Sequence, residues 1–217
     1  MGSRISGALA AIFLWAGAAA EPPKITAFDR AQGWRLLFDG HSWSGWHGFG
    51  AKRVPANWEI TDSAIVAREE GRALVSDGQF ADFELTFHWR MALGGRAEVY
   101  FRLSEDEELP ARTGPVFQLA GPDTEVGGNG GLIAPGVRLT ERPGEWQSAR
   151  LVVTGEHVEH WIAGQLVLSY VLGSAEWRAA VGEGRYAAYR GYGRLRDGPI
   201  AFAGRGAEFR DVKVRGL

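Results

Sequence analysis

The chain has 217 residues, enough for one large β domain and too few for two comfortable ones, so a single hydrophobic core is expected. Apolar residues at 45% and charged residues at 23% match an ordinary folded protein, which disfavours disordered and membrane-spanning classes. A net charge of −2 without a long Lys/Arg cluster speaks against nucleic acid as a partner, and the absence of cysteine removes disulfide, thiolate and sulfur-ligated metal chemistry.

Residues 1–20 read as a signal peptide: Arg4 is the positive start, residues 5–15 are largely apolar, and Ala18, Ala19 and Ala20 suit cleavage after Ala20. The apolar run is shorter than the roughly 20 residues a bilayer-crossing helix needs, so no stable membrane insertion is expected after cleavage. A periplasmic or secreted location follows. Residues 21–32 form a lead-in, and residues 33–217 are expected to be a single domain.

Strands are expected at 34–38, 58–60 and 64–67. From 83 to 90 the sequence alternates strictly, with Phe83, Leu85, Phe87 and Trp89 on one face and Glu84, Thr86, His88 and Arg90 on the other. After Leu93, Gly94 and Gly95, a second run puts Ala97, Val99, Phe101 and Leu103 on the apolar side, opposite Glu98, Tyr100 and Arg102. The two runs read as an antiparallel hairpin. On that reading His88, Arg90, Glu98, Tyr100 and Arg102 gather on one surface, uniting a base, an acid and two permanent cations. The same face also reads as a solvated surface with cross-strand ion pairs.

Further strands are expected at 116–119, 146–154, 157–162, 166–171, 200–203 and 207–214. No helical periodicity is sustained beyond about ten residues. Some eleven short strands without helices argue for a two-sheet antiparallel sandwich of the jelly-roll kind. Two long loops, 104–114 and 121–136, are expected to shape a binding site. The acidic run Glu105, Asp106, Glu107 and Glu108 lacks the ligand spacing of a calcium loop and reads as solvated.

Several motifs are absent. Gly127, Gly128, Asn129, Gly130 and Gly131 precede no helix, so a phosphate cradle is not expected. There is neither a G-x-S-x-G elbow nor a Walker sequence. His157 and His160, three apart in a strand, point to opposite faces and cannot share an ion. No metal or other cofactor is therefore expected.

The segments Gly33-Trp-Arg-Leu-Leu-Phe-Asp-Gly-His41, Ser44-Gly-Trp46 and Trp58-Glu-Ile-Thr-Asp-Ser-Ala-Ile-Val66 resemble the opening of the 3-keto-disaccharide hydrolase family. Asp82 to Arg90, Gly94 to Arg102, Gly144-Glu-Trp-Gln147, His160-Trp-Ile-Ala-Gly164 and Glu208-Phe-Arg-Asp-Val-Lys-Val214 continue that resemblance in order. The resemblance implies a concanavalin A-like jelly roll with a sugar site on its concave sheet, and hydrolysis or elimination of 3-keto-glycosides. The ketone acidifies the C2 hydrogen, so a base removes it and an enolate forms before the C1 group leaves. Under this implication His88 or Glu98 is the base, Arg102 and Arg90 offset the enolate charge, and Tyr100 or Gln118 binds sugar hydroxyls. Arg205 falls where the family carries a histidine, Val116 where it carries an acidic residue, and His88 where it carries Glu. A non-catalytic carbohydrate-binding protein is the second expectation. A carbohydrate ligand is the expected partner in both.

Overall fold

The computed structural model describes residues 22–121 and 125–217, so the expected leader lies outside the described residues. In chain order the elements are α1 (Ala27–Ala31), β1 (Arg35–Leu36), β2 (Trp46–Gly48), β3 (Trp58–Thr61), β4 (Ala64–Ala67), β5 (Leu74–Ser76) and β6 (Phe83–Tyr100). They continue with β7 (Val116–Ala120), β8 (Gln147–Thr154), β9 (His157–Ile162), β10 (Gln165–Val171), α2 (Ala175–Glu183) and β11 (Ala201–Gly216). Every pairing is antiparallel.

The hairpin expected at Leu93, Gly94 and Gly95 is not formed. Residues 83–100 make one long strand of 18 residues, β6, which pairs along its length with the 16-residue β11. Register slips between Arg205 and Ala207, opposite the stretch from Met91 to Arg96, so both strands bulge at the same level. At the bulge Gly95 lies so close to the opposite backbone that an added Cβ would stand 2.8 Å from the Arg205 carbonyl oxygen. Only glycine fits there without displacing backbone.

Bending at the bulge carries β6 and β11 from one layer into the other. The first layer runs β10-β9-β8-β6-β11-β4-β3, using residues 83–91 of β6, and β1 pairs with the far end of β11. The second layer is β7-β6-β11-β5-β2, using residues 97–100 of β6. The two layers form the expected jelly-roll sandwich. Between them Phe87 meets Phe202 edge-on at 5.6 Å, and Phe117 of β7 stacks on His160 of β9 at 4.2 Å.

Alternation decides which side chains enter this core. Phe83, Leu85, Phe87 and Trp89 are buried, as are Val99 and Phe101. Tight primed-type turns close the short hairpins: Asp62 and Ser63 between β3 and β4, and Ala163 and Gly164 between β9 and β10, all take positive φ. Among the described residues, one helix longer than two turns is present that periodicity did not reveal. It is α2, opened by Ser174, whose hydroxyl accepts from Trp177 N at 3.0 Å, and Trp177 is its one buried residue. A helix that buries one side chain writes no 3.6-residue pattern.

Candidate active site

The outward face of the second layer carries a cavity of about 780 Å³. Its floor is Glu98 and Tyr100 of β6 with Ala203 of β11. One side is formed by Phe49 and Glu70 to Ala73, another by Glu108 to Ala111, and a third by Arg185, Tyr186 and Tyr189. Phe49, Ala73, Val75, Tyr100, Leu103, Val116, Ala201 and Ala203 make a separate apolar cluster beneath it.

Glu98 is 6% exposed, and its carboxylate is held from two sides. The Tyr100 hydroxyl donates to Oε2 at 3.0 Å, and Arg96 Nη1 lies 3.4 Å from the same oxygen. Arg96 also pairs with Glu70 across the cavity wall. Burial, and then the Glu98 charge, raise the Tyr100 hydroxyl well above the ordinary phenol value, so it remains a hydrogen-bond donor at neutral pH. A carboxylate fixed by a protonated phenol and a guanidinium is suited to taking a proton from carbon.

The third wall depends on an aromatic stack reaching back toward the core. Tyr186 lies on Tyr192 at 4.1 Å, Tyr192 on Trp177 at 5.7 Å, and Trp177 on Tyr170 at 5.1 Å, all nearly parallel. Tyr170 then meets His160 edge-on. On the far side of Tyr186, a Cβ at Gly130 would stand 2.2 Å from its hydroxyl oxygen, and φ there is +82°. Glycine at 130 is thus required both by conformation and by contact.

Sequence reasoning placed five polar residues on one surface, and the crossing of β6 separates them. Glu98 and Tyr100 line the cavity. His88 and Arg90 lie on the outward face of the other layer, where His88 Nδ1 is 3.1 Å from Asp211 and Arg90 pairs with Glu208 at 2.8 Å. His88 there borders a groove of about 390 Å³ with Trp161 and Lys213. Arg102 does not face solvent at all. It follows the end of β6 with φ +47° and is 2% exposed. It donates to the carbonyls of Ala81 and Gly155 and pairs with Asp82 at 3.1 Å, a structural tie outside the cavity lining.

Gln118 sits beside Glu98 in the β6-β7 register but is buried, its Oε1 accepting from Gly130 N at 3.0 Å. It holds the 127–131 loop against which Tyr186 packs. Arg205 is exposed on the bulge, donating to the Gly94 carbonyl at 2.8 Å, outside the cavity lining. His157 and His160 do part as expected, one bonded to Ser169 near the surface and one fully buried. Among the described residues no three His, Cys, Asp or Glu side chains are grouped to hold a metal ion. None of these residues forms a helix long and apolar enough to cross a membrane.

Glu70, Arg72, Arg96, Arg185 and Tyr186 are site-lining residues that the sequence reading did not single out. The first two and the last two come from irregular segments without periodicity. Arg96 was visible in the alternating run, at the position preceding Ala97.

Fold and cavity together define a jelly-roll sandwich with a polar, carboxylate-floored site on its outward second layer. Residues 33–215 match the 3-keto-alpha-glucoside-1,2-lyase-like domain, and the chain belongs to that family. A curated relative, the 3-keto-disaccharide hydrolase of Bacteroides thetaiotaomicron, is 27% identical over 179 residues, covering 68% of this chain. The alignment spans 61% of that relative's length. A crystal structure from Parabacteroides distasonis, provisionally described as a glycosyl hydrolase, superposes with a TM-score of 0.84 at 25% identity, over 91% of this chain and all of that one. A second structure from the same organism, at 18% identity, reaches 0.66 over 85% of this chain and 99% of its own, and shares the fold.

Proposed function

We propose that the protein cleaves 3-keto-glycosides, by hydrolysis or elimination, in the cell envelope, and that Glu98 is the catalytic base. The observation that carries this reading is the buried Glu98 carboxylate on the floor of a cavity of sugar size, with Oε2 engaged by Tyr100 and Arg96. Oε1 then takes the C2 proton, made acidic by the neighbouring ketone. The electron pair left on carbon is delocalised onto the ketone oxygen as an enolate, whose charge Arg96 offsets. Collapse of the enolate re-forms the ketone and breaks the C1–O bond, the departing oxygen taking the proton back from Glu98 so that the aglycone leaves as its hydroxyl compound; water then adds across C1 and C2, hydroxyl to C1 and proton to C2, to complete hydrolysis. Family membership supports the same chemistry.

His88 and Arg102 have no part in this scheme. One lies on the opposite layer, and the other is committed to three carbonyl and carboxylate contacts. The test is incubation of the purified protein with a 3-keto-glucoside or 3-keto-trehalose while following release of aglycone or free sugar. Glu98→Gln is expected to reduce turnover at least about 100-fold, the usual worth of a positioned base. Turnover that survives Glu98→Gln refutes the assignment. Calorimetric binding of the keto-sugar with no product from the intact protein supports the non-catalytic carbohydrate-binding alternative. The envelope location is checked by sequencing the N-terminus of the exported protein, which is expected to begin at Glu21.

A further inference from the structure

Three carboxylates and three guanidiniums line the cavity, but they are unevenly paired. Each carboxylate that lines it already has a cation: Glu70 and Glu98 share Arg96, and Glu108 pairs with Arg112 at 2.5 Å. Two lining guanidiniums, those of Arg72 and Arg185, make no ion pair with a carboxylate among the described residues. Both are nevertheless held in place. The Arg72 carbonyl accepts from Trp58 Nε1 at 2.7 Å and from Asn57 Nδ2 at 3.3 Å, which pins its backbone, while its Nη1 donates to the Phe49 carbonyl at 3.1 Å. Arg185 lies 5.5 Å above the ring of Tyr186, itself fixed by the aromatic stack.

Two held guanidiniums that no carboxylate engages, at the rim of a site whose carboxylates are already bound by other arginines, leave donors open to a ligand bearing negative charge. A guanidinium also offers a fork of N–H donors matched to carboxylate or sulfate oxygens.

We propose that this cavity selects a glycoside carrying an anionic substituent, a carboxylate or a sulfate ester, with Arg72 and Arg185 as the residues that hold it. The inference rests on the cavity being the sugar site and adds its substrate class. Arg72 and Arg185 determine specificity and take no part in moving the proton.

Calorimetric titration of the full chain tests it, using a neutral 3-keto-glucoside, its C6-carboxylate counterpart and its C6-sulfate ester at low and raised salt. One anionic ligand is expected to bind about tenfold more tightly than the neutral one, the usual scale for a charge-assisted contact partly screened by water, and to lose that advantage as salt rises. Preference for the carboxylate or for the sulfate supports the inference and identifies the group. Arg72→Gln and Arg185→Gln should each remove most of the preference, and the loop substitution Arg142→Gln none of it. Arg185 is exposed, so the reversal Arg185→Glu gives a second reading if Arg72→Gln folds poorly.

Equal affinity for neutral and anionic sugars, with neutral turnover intact, overturns this inference and leaves the catalytic reading standing. Binding of none of the three overturns the sugar site itself, and this inference with it.

Discussion

His160 lies at the inner end of the aromatic stack that backs the cavity, and acid should undo it. Its Nδ1–H donates to the Gly127 carbonyl at 2.9 Å, and its Nε2 faces the Tyr170 hydroxyl at 3.3 Å, so the neutral ring is satisfied at both ends. Complete burial lowers its pKa from 6.5 to about 4, against the opposing pull of the Gly127 and Gly128 contacts. The unfolded chain takes up this proton below about pH 6.5 while the folded chain refuses it until about pH 4, so stability falls with pH across that window. At about 1.4 kcal/mol per pH unit, the loss attributable to His160 is about 3 kcal/mol. Urea unfolding midpoints between pH 7 and pH 4 measure it, with His160→Gln as the reference that carries no titrating group there. The variant starts less stable but should lose about 3 kcal/mol less than the natural chain on acidification, because every other carboxylate and histidine titrates in both. Parallel pH profiles for the two proteins would refute the argument.

Three further outcomes follow from particular contacts. Arg102→Ala leaves the carbonyls of Ala81 and Gly155 without the guanidinium donor and the Asp82 carboxylate with only the Gly155 N–H, so it is expected to cost about 3 kcal/mol in chemical denaturation; preserved stability with abolished turnover would instead mark Arg102 as catalytic. Gly130→Ala must displace the Tyr186 ring and adopt a left-handed backbone, with an expected loss of about 1–3 kcal/mol in thermal unfolding and a measurable change in Tyr186 fluorescence or ring NMR shifts. His47 bridges Asp77 at 2.6 Å and Glu105 at 2.9 Å; burial lowers its pKa, but the bonds to Glu105 and then Asp77 outweigh burial and raise it overall. The tie is therefore complete below the unfolded value near 6.5 and is lost as pH rises through the raised folded value, so hydrogen exchange in residues 104–112 should quicken with pH beyond its intrinsic dependence, and His47→Ala should abolish the excess.

Strand positions were legible where one face is buried and the other is wet. The runs at 146–154, 157–162 and 166–171 fall within a residue of β8, β9 and β10, because side-chain alternation and positive-φ turns leave direct marks in sequence, whereas those at 64–67 and 116–119 match β4 and β7, buried throughout, as short apolar runs. β2 and β5 were not expected. They are three residues each, too short to alternate visibly. The joined reading of 83–103 failed at Leu93-Gly94-Gly95, where the glycine pair has the same local signature whether it turns a hairpin or relaxes a bulge. The discriminating signal lay far along the chain. Gly204-Arg205-Gly206 interrupts the other long alternating run, and two interruptions that fall opposite one another in a pair of long antiparallel strands indicate that both bend together.

That shared bend also explains why the site was half legible. Faces keep their parity through the bulge, so Glu98 and Tyr100 were correctly placed opposite Val99 and Phe101. The layer changes, however, and the outward face of residues 83–91 therefore belongs to a different surface from the outward face of residues 97–100. Alternation tells which side chains leave the core but not which exterior they reach. The cations that complete the cavity come from irregular segments brought together by long-range packing: Arg72 through the Trp58 and Asn57 bonds to its carbonyl, and Arg185 through a stack that runs from Tyr186 to Tyr170. Local pattern supplies the carboxylate on the floor, and tertiary contacts supply the guanidiniums at the rim. Substitutions behind the stack, at His160 or Trp177, should consequently alter ligand preference before they alter the position of Glu98.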